Sequence, residues 1–69
     1  ESTEQVQRLE VALEQLLPDE RALILLFYWK EKTIEELVSI TGLTASNIKV
    51  KLHRIRKKLF VLLNEMDHE

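Results

Sequence analysis

The sequence predicts an all-α domain of four helices, containing a helix-turn-helix and closed by a long C-terminal helix. Three observations carry that prediction. Gly and Pro occur once each in 69 residues, and both stand where helices should break. Thr33 and Glu36 form a T-x-x-E capping box, an explicit helix start in mid-chain. From Thr44 to Asn64 no breaker interrupts a stretch whose apolar residues recur with helical period.

Each helix has its own signals. Val6, Leu9, Leu13 and Leu16 recur at three- and four-residue spacing, one face of an amphipathic first helix. Pro18 follows LEQLL and precedes DERALILL. Proline suits a first helical turn, and acids there suit the positive end of the helix dipole. A second helix therefore begins near Pro18, with Asp19 and Glu20 in its first turn, and runs to about Trp29 or Lys30. The third begins at Thr33, with Ile34, Leu37, Val38 and Ile40 as its apolar side. Gly42 ends it, because glycine takes the left-handed conformation most readily. Thr44 caps the fourth helix, which continues to about Asn64 or beyond. No stretch alternates like a strand, and there is no repeat or low-complexity segment.

Length and composition narrow the function. Sixty-nine residues make one domain at most, so residues 1–69 are read as a single unit, with the helix-turn-helix at about 33–63. The chain opens on Glu1 rather than methionine and is read as a piece of a longer protein. With no cysteine there is no disulfide and no thiolate metal site, which fits a reducing compartment. The longest apolar run, ALILLFYW from Ala22 to Trp29, is far short of the about 20 residues that span a bilayer. Nothing resembles a signal peptide. A phosphate-cradling Gly-rich loop and an evident nucleophile-base pair are both missing, which argues against an enzyme and against a cofactor. His53 reads as an outward-facing or solvated side chain and His68 as tail, with no metal-ligand spacing around either. The ALILLFYW run is mostly core, yet it covers more than one helix face. Part of Phe27, Tyr28 or Trp29 is therefore a candidate surface for a protein partner, and Phe60 and Val61 also fall off the core side of the last helix.

The fourth helix separates its two jobs. At ~100° per residue, Ile48, Leu52, Ile55, Leu59 and Met66 share one side. The opposite side carries Ser46, Val50, Arg54 and Lys57, with Asn47 and His53 close by. Lys49, Lys51, Arg56 and Lys58 flank it. Charge follows the same division. The whole chain has net charge -2, but Glu1 to Glu20 holds six acids against one arginine, while Ser46 to Asn64 holds six basic residues and no acid. The Debye length at physiological salt is about 8 Å, so this local +6 acts before distant acids cancel it. An ordinary solvated helix mixes both signs to gain i,i+4 pairs, and this one forgoes them.

A short helix, a tight turn at Gly42-Leu43 and a long basic helix outline a DNA-binding helix-turn-helix, whose second helix is the recognition helix. Residues early in that helix reach base edges, which makes Asn47, Lys49, Val50, His53 and Arg54 the base-reading candidates. Arg or Lys donates to guanine, Asn reads adenine, and Val50 packs on a thymine methyl. Ser46, Lys51, Arg56, Lys57 and Lys58 are the phosphate candidates, joined by Lys32 and Thr33 at the start of the third helix.

The ordered set Leu17-Pro18, Arg21, LILLFYW, Glu36-Leu37-Val38, Gly42 and Arg54-Ile55-Arg56-Lys57-Lys58-Leu59 resembles region 4 of bacterial sigma factors, the extracytoplasmic-function branch especially. The resemblance covers about Leu13 to Leu63. It implies a cytoplasmic, bacterial four-helix domain that binds the double-stranded -35 promoter element and contacts the β-flap of RNA polymerase core. The family's promoter-reading positions map onto Lys49, Val50, His53 and Arg54, and anti-sigma factors commonly mask this domain in that branch. The chain departs from the family at Val38, where helix-turn-helix motifs favour alanine. It departs again at Ile55, often small, and at Val50, usually polar. Two other readings compete. One is a regulator output domain of the LuxR type, which has a similar last helix, although the Leu-Pro-x-x-Arg start and the Arg-x-Arg ending favour the sigma family. The other is a helical interaction module that never touches DNA.

Overall fold

The computed structural model describes residues 2–66; Glu1 and the last three residues, His68 among them, lie outside the described part. Four helices follow one another: α1 (Ser2–Glu14), α2 (Pro18–Tyr28), α3 (Ile34–Thr41) and α4 (Ala45–Met66). No strand occurs among the described residues. The long α4 is the spine, packing against each of the other three, while α2 also meets α3.

The breaks fall where the chemistry dictates. α1 ends at Glu14, and Gln15 and Leu16 close a tight turn by donating to the carbonyls of Ala12 and Leu13. Pro18 is the first residue of α2, and Leu17 before it is extended. Leucine has no side-chain acceptor, so only half a capping box forms there: the Glu20 carboxylate accepts from the Leu17 N–H at 3.0 Å. At the far end Glu31 takes a left-handed backbone, φ 55°, which turns the chain toward α3.

At α3 the capping box is complete. The Glu36 N–H donates to the Thr33 hydroxyl at 3.1 Å, and the Thr33 N–H donates to the Glu36 carboxylate at 2.8 Å. That second bond holds the Glu36 carboxyl below the ordinary 4.5. Gly42 then caps α3 with φ 78°, its N–H donating to the Val38 carbonyl at 2.8 Å. A methyl group at Gly42 would meet no atom within 4 Å, so only the left-handed backbone resists substitution. Gly42→Ala is expected to cost about 1 kcal/mol in urea unfolding. No loss at all would mean the turn relaxes to another conformation.

The core is formed by Leu16, Leu23, Ile24, Leu37, Ile48, Leu52 and Ile55, with Leu13, Leu26, Phe27, Ile34, Val38, Leu43 and Leu59 packed around it. Three helix-facing expectations need correction. Val6 and Leu9 are 52% and 41% exposed, and Ile40 is 54% exposed. α1 instead rests on Ala12, wholly buried, and on the turn residue Leu16. Ala12 lacks the bulk to register in a count of large apolar residues. Ile40 lies on the outer side of α3, where Leu37 takes the core position. The two branched residues that depart from the family are accommodated: Val38 is half-buried, and Ile55 is buried.

Candidate nucleic-acid interface

The turn between α3 and α4 is fixed by two threonines. The Thr44 hydroxyl accepts from the Asn47 N–H at 3.1 Å, the N-cap of α4. The Thr41 hydroxyl donates to the Leu37 carbonyl at 2.7 Å and accepts from the Leu43 N–H at 3.1 Å. Thr41 spans the turn and escaped the sequence reading, although a hydroxyl just before a helix-ending glycine is the available signal. Together these bonds set the angle at which α4 leaves α3.

α4 buries Ile48, Leu52 and Ile55, with Leu59 and Met66 half-buried. Ser46, Asn47, Lys49, Val50, His53, Arg54 and Lys57 are all exposed. The five base-reading candidates thus stand on the first three turns of one exposed surface. Lys49, Arg54 and Lys57 have no ion pair with any described residue. Arg54 also lines a crevice that it shares with Asp19 and Glu20.

Three of the remaining phosphate candidates, Lys58, Arg56 and Thr33, have partners inside the molecule, while Lys51 is exposed and forms no ion pair with a described residue. Lys58 donates to the Glu20 carboxylate at 3.1 Å, and this contact crosses from α4 to the start of α2. The Leu17 N–H and then Lys58 hold the Glu20 carboxyl below its ordinary 4.5, with Lys51 adding a smaller electrostatic pull. Arg56 donates to the Tyr28 hydroxyl at the end of α2, with its guanidinium 5.9 Å from the ring centroid. At Thr33 the hydroxyl and N–H both engage Glu36, whose charge occupies the helix start where a phosphate was expected. Lys32 is half-buried beside it.

The aromatic candidates divide. Phe27 turns toward the core and meets the Tyr28 ring edge-on at 4.9 Å. Tyr28 and Trp29 are exposed, as are Phe60 and Val61. Among the described residues no group of three His, Cys, Asp or Glu is placed to hold a metal ion, and no helix is long and apolar enough to cross a membrane.

A capped short helix, a glycine turn and a long helix with a cationic outer face define a helix-turn-helix DNA-binding domain of transcription. The chain belongs to the sigma-70, region 4 family, whose model matches residues 6–59. That family is a DNA-binding part of sigma factors rather than an enzyme family. No curated protein and no solved structure gives a significant match.

Proposed function

We propose that this domain reads the -35 element of bacterial promoters in the cytoplasm, as part of a sigma factor of the extracytoplasmic-function type. The observation that carries the reading is the α4 surface. Asn47, Lys49, Val50, His53 and Arg54 stand together on it, exposed, in a chain of the region 4 family. In this reading α4 lies in the major groove with those side chains at the base edges, while Ser46, Lys51 and Lys57 approach the backbone. Thr33 meets a phosphate only by displacing Glu36, with Lys32 beside it, and Arg56 and Lys58 only by leaving Tyr28 and Glu20. Exposed Tyr28 and Trp29 then serve contact with RNA polymerase core at its β-flap, or with an anti-sigma factor that masks the domain.

The test is a titration against random duplex DNA at low and moderate salt, with selection of the bound fraction. A short motif should be enriched. If about four phosphates are neutralised, affinity should fall roughly 100-fold between about 50 and 200 mM salt. No binding at low salt would end the DNA reading and favour a protein-interaction module acting through the Tyr28–Trp29 surface.

A further inference from the structure

α4 carries a row of cations along one flank. Lys51, Arg54 and Lys58 are spaced i, i+3, i+7, which keeps them on one side of a helix. The start of α2 faces that row. Asp19 and Glu20 line a crevice of about 520 Å³ whose α4 wall includes Lys51 and Arg54. At its edge Glu20 holds Lys58 at 3.1 Å.

An anion already sits, then, where a DNA phosphate would meet this flank. The other cations of the exposed face, Lys49 and Lys57, have no such neighbour. We propose that Glu20 is an intramolecular stand-in for a phosphate, occupying Lys58, and so limits the sequence-independent part of DNA binding. This inference rests on the DNA-binding reading above. Its physical basis is competition. Any phosphate that approaches Lys58 must displace the carboxylate, and the displaced charge then repels it. Glu20 has a second task that keeps it in place, since the same oxygen accepts from the Leu17 N–H at the start of α2. The restraint is therefore built into the cap, and it need not be assembled from a mobile surface chain.

That double role also makes the charge separable from the fold. Glutamine serves as well as glutamate as the third residue of a capping box. Glu20→Gln keeps the oxygen that accepts from Leu17 and removes only the charge. The variant should bind random duplex DNA several-fold more tightly, and its log affinity should fall more steeply with log salt, by about 0.9 for one added phosphate. The double variant Glu20→Gln with Lys58→Met should return the salt slope to that of the parent chain. A slope unchanged by Glu20→Gln, in a parent that binds DNA, would overturn the inference alone. So would a gain that survives Lys58→Met. Loss of helical circular dichroism in Glu20→Gln would also overturn it, because Glu20 would then be a structural cap. Failure of the parent to bind at low salt would remove the DNA reading and this inference together.

Discussion

Leu37→Ala is expected to unfold most of the domain at room temperature. Leu37 is wholly buried and is the one fully buried residue of α3, a helix of eight residues. So short a helix has no stability of its own in water and exists because it is docked. Truncating a buried leucine costs about 2–5 kcal/mol, the upper part of that range where the surroundings cannot close in. Here Leu37 lies in one cluster with Ile48, Leu52 and Ile55 of α4 and with Leu23 and Ile24 of α2. Three helices would have to shift together to fill the space. A chain of this length has a total stability of about 3–10 kcal/mol, and a small core favours the lower half. The substitution therefore removes most or all of it. Urea titration followed by circular dichroism measures the loss, with Ile40→Ala as the control. Ile40 sits three residues further on and is 54% exposed, so its truncation should change stability by less than about 0.5 kcal/mol. Equal losses for the two would contradict the packing of α3.

The contrast between Leu37 and Ile40 also shows which parts of the fold could be read in advance. Local chemistry was legible. Pro18, the Thr33–Glu36 box, Gly42 and Thr44 act within a few residues of themselves, and each produces the break or the cap that its type demands. The burial of Ile48, Leu52 and Ile55 was legible too, because a long helix with six cations and no acid from Ser46 to Asn64 leaves one choice of inner side. α1 was less legible. Its apolar residues outnumber what α4 can cover, so Val6 and Leu9 satisfy the helical period and remain exposed. A period shows that residues share a face, not that a partner helix is wide enough to bury it.

The candidate site divides in the same way. The cationic face follows from helix geometry. Its restraint does not, since Glu20 and Lys58 lie 38 residues apart and Tyr28 and Arg56 lie 28 apart. Those contacts depend on how α2 crosses α4, which no spacing within either helix encodes. The sequence places Arg56, Lys57 and Lys58 together as one basic run. The fold separates them, with Arg56 on one end of α2, Lys58 on the other, and Lys57 left facing outward.

That separation sharpens the second large effect, which concerns Arg54 and Lys57. Both are exposed and neither forms an ion pair with a described residue, so both are available to DNA. They differ in position. Arg54 lies in the third turn of α4, near enough to its start to reach a base edge, and its planar guanidinium can give two parallel bonds to guanine. Lys57 lies almost a turn further on and presents a point charge suited to a phosphate. Arg54→Ala should then cost about 1–3 kcal/mol on the selected sequence, roughly 5- to 150-fold in affinity, and far less on random DNA. Discrimination falls, and it falls at one base pair of the element. Lys57→Ala should weaken selected and random DNA by the same factor and make the salt slope shallower by about 0.9. Neither truncation touches the core, so thermal unfolding should stay within a few degrees of the parent. The measurement is a competition titration of each variant against the selected duplex and a scrambled one, at two salt concentrations. A uniform loss from Arg54→Ala would make that residue another phosphate contact and shift base reading toward Asn47, Lys49 and Val50. A sequence-dependent loss from Lys57→Ala would instead extend the reading surface by a turn, requiring α4 to lie deeper along the groove than its exposed first three turns suggest.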